Sequence, residues 1–146
     1  MYIELLEKLT EKIKYAKLQT PCSDEDIIKT EEHIGHKFPL ELKILYLETN
    51  GDNFLLLSLE HIKGNVSLNR EYLRDLFETE EEYSEKIDNF IFFATNGCGD
   101  YYCYKVLENG EIDCSGLYIW EHETFEARIV AENLTDLIIK YYNDEI

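Results

Sequence analysis

Asn89-Phe-Ile-Phe-Phe-Ala-Thr-Asn-Gly-Cys-Gly-Asp100, then Tyr101-Tyr-Cys-Tyr-Lys-Val106, then Gly116-Leu-Tyr-Ile-Trp-Glu-His-Glu123, are the segments whose reading decides the fold. Phe90 to Ala94 is an apolar run, and Asn96-Gly97-Cys98-Gly99-Asp100 punctuates it as a tight turn. Tyr101 to Val106 is rich in aromatic side chains that suit a pleated surface. Leu117 to Trp120 follows a second turn at Glu108-Asn109-Gly110-Glu111. Three strands joined in succession by turns read as an antiparallel meander. The expected fold class is α+β, a mainly antiparallel sheet with N-terminal helices and a closing C-terminal helix packed on it. The length predicts a single domain over residues 1–146.

Upstream of the meander the period changes to that of helices. Ile3, Leu6, Leu9 and Ile13 form one apolar stripe and predict a helix over Tyr2 to Leu18, broken at Gln19-Thr20-Pro21-Cys22. Ser23 is a good N-cap, with Asp24, Glu25 and Asp26 in a first turn where they oppose the helix dipole. That helix should stop at Gly35. Pro39 restarts a helix as its first or second residue, and Asn50-Gly51 ends it. Phe54 to Leu57 reads as a short strand, Ser58 to Gly64 as a turn or single helical turn, and Val66 to Tyr83 as helical spacing. The acid run Glu78 to Glu85 reads as a solvated helix end or loop. Downstream, Phe125 to Ala131 alternates apolar and polar residues as a strand does. Asn133 then caps a last helix whose apolar face holds Leu134, Leu137, Ile138, Tyr141 and Tyr142.

Charge narrows the range of partners. The formal net charge is −17, from 31 acids against 14 bases, while a hydrophobic fraction of 45% argues against disorder. Such a field repels nucleic acid phosphates and anionic membrane surfaces, and it favours encounter with a basic protein. No uninterrupted apolar stretch has the length of a membrane span, and Met1 to Glu7 lacks the basic start and apolar run of a signal peptide. The expectation is a cytoplasmic protein whose four cysteines are reduced thiols.

The residues offer little chemistry. Cys98 and Cys103 are too far apart for a Cys-x-x-Cys pair, and His33 and His36 flank Gly35 with no third ligand following, so no metal or cofactor is expected. There is no Gly-x-Ser-x-Gly elbow. Gly97-Cys98-Gly99-Asp100 lacks the following helix that a phosphate-binding loop needs. Glu121 and His122 could supply an acid and a base, but alternation along a strand points them to opposite faces. Trp120 reads either as a core aromatic or as an interface anchor. No catalytic constellation emerges, and a non-enzymatic protein is expected.

The order of motifs is more informative than any one of them. Ile28-x-x-Glu31-Glu32-x-Ile34-Gly35-x-x-Phe38-Pro39-x-Glu41-Leu42-x-x-Leu45-Tyr46-x-x-x-Asn50-Gly51 resembles the opening signature of the SUKH superfamily, the Smi/Knr-type proteins. The Thr-Asn-Gly-Cys-Gly-Asp-Tyr-Tyr turn within Ile91 to Tyr104 resembles that family's Gly-Asp hairpin, and Tyr118 to Glu123 its Trp–His strand. Ile129 to Leu137 resembles the run into its closing helix.

This resemblance implies an α+β fold and a protein that acts by binding other proteins. Many bacterial members are immunity proteins that neutralise nuclease toxins, and fungal members are linked to cell-wall glucan synthesis and signalling. The leading expectation is an immunity protein that occludes a basic toxin domain. The alternative is a regulatory scaffold for an endogenous cell-wall or signalling protein, and a hydrolase centred on His122 is a third reading. The residues expected at the partner-binding surface are Asp100 and Tyr102 beside the hairpin, and Trp120, Glu121 and His122 on the next strand. Asn50 and Gly51 are expected to shape a turn at one end of it.

Overall fold

Strand β1 (Phe90–Thr95) begins a four-stranded antiparallel sheet that continues through β2 (Tyr101–Lys105), β3 (Leu117–Glu121) and β4 (Glu126–Ala131) in the order β1-β2-β3-β4. The computed structural model describes all of residues 1–146. The helices are α1 (Tyr2–Thr10), α2 (Asp24–Ile34), α3 (Leu40–Glu48), α4 (Leu59–Tyr72), the single turn α5 (Glu80–Tyr83) and α6 (Leu134–Tyr142). The α+β meander with N-terminal helices and a closing helix is the architecture expected from the strand and turn pattern.

Every residue of β1 from Phe90 to Ala94 is buried, because both faces of the sheet are covered. On one face Ile91, Phe93, Tyr102, Tyr104 and Ile119 join the helices in a core of 25 buried residues. On the other, Phe90, Phe92, Cys103 and Trp120 meet Tyr83 and Ile87 in a core of six. The larger core makes the first face the main site of hydrophobic stabilisation, at about 25 cal/mol for each Å² of apolar surface removed from water.

The chain that covers the second face is irregular. A 3-10 turn at Arg74–Leu76, the turn α5 and a wide π turn at Ser84–Asp88 lay Tyr83 and Ile87 on the sheet. The Trp120 indole N–H donates to the Lys86 carbonyl at 2.8 Å, which ties the wide turn to β3. The ring packs against Phe92 at 5.1 Å and stacks on Phe125 at 5.6 Å. The acid run Glu78 to Glu85 is thus solvated only on its outer side, and its sixth residue, Tyr83, enters the second core.

The helix signals at Ser23 and Gly35 operate as expected. The Asp26 N–H donates to Ser23 Oγ, the Ser23 N–H donates to the Asp26 carboxylate, both at 3.1 Å, and Gly35 closes the helix at φ 84°.

Several boundaries differ from the sequence reading. Helix α1 stops at Thr10 rather than Leu18, because residues 17–22 hydrogen-bond as an extended segment along residues 46–52. Pro39 sits just before α3 as its cap instead of inside it. Ser58 starts a full fourteen-residue helix instead of a turn. Its hydroxyl accepts from the His61 N–H, the Asn50 side chain accepts from the Leu59 N–H, and buried Leu59, Ile62 and Val66 outweigh the roughly 1 kcal/mol penalty of Gly64. Phe54 to Leu57 forms only one bridge to β1, Leu56 to Ala94, because the Asp52 side chain takes the N–H groups of Phe54, Leu55 and Leu56. Phe125 lies in the turn before β4, with φ 59°.

The Tyr83 hydroxyl is buried with no hydrogen-bond partner. Removing it by Tyr83→Phe is expected to hold stability constant or raise it by about 1 kcal/mol in chemical denaturation. Trp120→Ala removes a buried ring and orphans the Lys86 carbonyl, and the expected loss is about 3–5 kcal/mol.

Candidate functional site

All four strands place one set of ends together: the last residues of β1 and β3 and the first of β2 and β4. The β1–β2 turn sits at this end. The Thr95 hydroxyl accepts from the Gly97 N–H and donates to the Asp100 carbonyl, while the Asn96 side chain accepts from the Cys98 N–H. Gly99 has φ 96°, and a Cβ there would come within 2.9 Å of the His122 ring, so only glycine lets the ring lie on the turn.

Asp100 joins this turn to the end of β3. Its Oδ1 accepts the His122 backbone N–H at 3.0 Å and lies 2.7 Å from His122 Nδ1. Burial alone pushes the Asp100 carboxyl upward, but hydrogen bonds from the His122 side chain and backbone and from Asn96 hold it below its ordinary value. In form this is a base with its orienting carboxylate. In place it is a clamp, since the carboxylate on the β1–β2 turn holds both the backbone and the ring of His122 at the end of β3. Glu121 reaches toward Arg128 on the neighbouring β4 at 3.6 Å; Arg128 is largely solvated and Glu121 is half-buried.

Asn50 and Gly51 stand at the same end, through a second loop. Gly51 has φ 93°, and a Cβ would collide with the Leu56 carbonyl at 2.6 Å. That tight turn buries Asp52, whose Oδ1 accepts three backbone N–H groups and whose Oδ2 accepts the Tyr142 hydroxyl. Burial raises the Asp52 carboxyl above its ordinary value, and the four hydrogen bonds oppose that rise without cancelling it. The loop presents Phe54, 40% exposed, which stacks on Tyr142 and meets Tyr141 edge-on. Tyr141 in turn caps Tyr102 at 5.9 Å. Burial first, then the nearby charge of Asp52, raises the Tyr141 phenol, and the Tyr102–Tyr141 contact makes the start of β2 and the end of α6 neighbours.

Asp100, Glu121, His122, Asn50 and Gly51 therefore share one end of the molecule. Two of the expected anchors require correction. Tyr102 is buried under Tyr141 on the helix face of the sheet, and Trp120 is buried on the opposite face. Neither side chain reaches a partner from there, because the closing helix covers one and the 73–90 segment covers the other. Phe54, Tyr141 and Tyr142 supply the accessible aromatic edge in their place. In the sequence they read as strand and helix-core positions, and only the long-range Asp52–Tyr142 contact shows that they lie together.

Residues 21–140 match the model of the SMI1/KNR4 family (SUKH-1). The chain belongs to this family. No curated protein matches it. The SMI1/KNR4 family is generally non-catalytic and implies protein–protein interaction. No helix of this member is long and apolar enough to cross a membrane.

The two aspartates give opposite pH signatures. The folded-state value of Asp100 is lowered, so its stabilisation is present above the ordinary aspartate range and is lost as pH falls through the folded value. The value of Asp52 is raised, so its contribution is fully present at low pH and is lost as pH rises through the folded value. In denaturation midpoints between about pH 3 and 7, the gap between wild type and Asp100→Asn should widen with rising pH. The gap for Asp52→Asn should narrow.

Proposed function

We propose that this SMI1/KNR4 family member is an immunity-type protein that neutralises a cognate toxin, most simply a nuclease, by stoichiometric occlusion of its basic surface. The observation that carries this reading is the hairpin end, where the half-exposed Glu121, the clamped Asp100 and an aromatic edge stand together on a chain of net charge −17. A nuclease holds phosphate with lysine and arginine, so a carboxylate-bearing surface competes for the same residues. Aromatic side chains supply the desolvated anchor that such interfaces use. Binding of this kind needs no metal or cofactor, and it takes place in the compartment that the toxin attacks, which for a nuclease is the cytoplasm. The expected contacts are Asp100, Glu121 and His122 directly. Asn50 and Gly51 act through the loop that they shape, and Tyr102 and Trp120 act as the packed support beneath.

Co-expression with candidate nuclease toxins from the same genomic neighbourhood tests this directly. Restored growth and a one-to-one complex support the reading. Growth arrest with no complex, or capture of a cell-wall or signalling protein instead, favours the scaffold role found in fungal relatives. Reversal of two rim charges, Glu121→Lys with Glu123→Lys, should slow association by roughly tenfold and leave dissociation nearly unchanged. Raised salt should weaken binding by the same route.

A further inference from the structure

Phe54 has a second side. While one face of its ring stacks on Tyr142, the residue also forms a wall of a groove of about 440 Å³ beside the hairpin end. Asn50, Glu60, His61 and Thr95 line the same groove. Its volume falls within the roughly 300–1,000 Å³ of small-ligand sites, toward the lower end, where a single side chain fits better than a cofactor.

The groove carries a fixed carboxylate. Glu60 Oε2 accepts from the Asn50 side-chain amide at 3.0 Å. That hydrogen bond, followed by smaller contributions that include nearby Lys63, holds the Glu60 carboxyl below its ordinary value. Glu60 forms no salt bridge within the chain. Asn50 is itself fixed, because its Oδ1 accepts the Leu59 N–H at 2.8 Å at the start of α4. The aromatic wall is equally fixed. Asp52 ties down the three N–H groups from Phe54 to Leu56, and the Tyr142 hydroxyl locks to the same carboxylate. A carboxylate held by the Asn50 side chain and a partly exposed ring on a loop held through its backbone N–H groups, both in place before any partner arrives, match one chemistry. A flat cation can hydrogen-bond to the first while it lies over the second.

We propose that the Phe54–Glu60 groove is a receptacle for one arginine side chain of the partner protein. The guanidinium pairs with the Glu60 carboxylate and stacks on the Phe54 ring, and the aliphatic stem crosses the apolar floor of Leu56 and Leu57. This inference rests on the reading of the chain as a binder of basic proteins, and it adds the point at which the partner is anchored. Asn50 becomes a positioning residue, because it orients Glu60 and braces α4 without meeting the partner.

Titration of the full chain with N-acetyl-arginine amide, followed by amide chemical shifts, tests the groove without a known partner. Saturable shifts are expected at the Asn50 side-chain amide and at Phe54, Thr95 and His61, stronger than those from N-acetyl-lysine amide and absent with N-acetyl-norleucine amide. Glu60→Gln should weaken the binding by roughly tenfold or more. Phe54→Leu, which keeps an apolar contact to Tyr142, should weaken it roughly two- to fivefold. The unshifted remainder of each variant's spectrum shows that the fold is intact. Shifts spread evenly over the acidic surface, or saturation that survives both substitutions, would overturn the proposal. The two readings fail separately. Arginine binding in this groove with no toxin neutralised leaves the groove and removes the immunity role, whereas neutralisation by both groove variants at wild-type affinity removes the groove alone.

Discussion

The buried Asp52 carboxylate is the contact on which the functional end of the molecule depends. It is fully inaccessible to solvent, yet six hydrogen bonds meet at the residue. Three backbone N–H groups and the Tyr142 hydroxyl reach its carboxylate, its own carbonyl accepts from the Lys17 N–H, and its N–H donates to the Leu56 carbonyl. A buried carboxylate without such partners is strongly destabilising. With them it works as a fastener, because the extended N-terminal segment, the loop after α3 and the last turn of α6 all close on one residue. Gly51 permits this, since no side chain fits between its backbone and the Leu56 carbonyl.

The second constraint is the covering of both sheet faces. A meander of this length with one bare face would leave Trp120, Phe92 and Tyr101 in water. The irregular 73–90 segment covers them with Tyr83, Ile87 and Phe77 at the expense of regular helix. The consequence is that β1, β2 and β3 have little open apolar surface, while Ile129 on the edge strand β4 is 48% exposed. At the end of the sheet, turns bring polar and aromatic residues from distant parts of the chain into one surface. Asp100 and His122 bind the hairpin to β3 there, and Phe54 and Tyr141 border it.

Local signals in the sequence were dependable where the responsible contacts are local. Ser23, Asp26 and Gly35 specify the ends of α2 through bonds spanning three or four residues. The Gly97 and Gly99 turn follows from backbone requirements alone. Long-range contacts decided the rest. The helical period through Ile13 was overridden by pairing with residues 46–52, and the strand-like Phe54 to Leu57 by a single aspartate. Strand alternation sorts the residues of β3 between two faces, but it carries no information on whether a face is covered. Exposure, and with it the distinction between anchor and support, belongs to tertiary structure. The aromatic edge of Phe54, Tyr141 and Tyr142 spans almost ninety residues of sequence and is visible only once Asp52 is seen to join them.

The central claim is that a basic protein docks on the hairpin end of the sheet. Hydrogen exchange of the chain, free and in complex with a nuclease toxin that it neutralises on co-expression, tests it most directly. The account predicts new protection at residues 53–57, 96–100, 121–123 and 141–144, with little change at the opposite end of the sheet. Protection concentrated instead around Leu40, Ile112 and Cys114, with residues 53–57 and 96–100 unchanged, would contradict it.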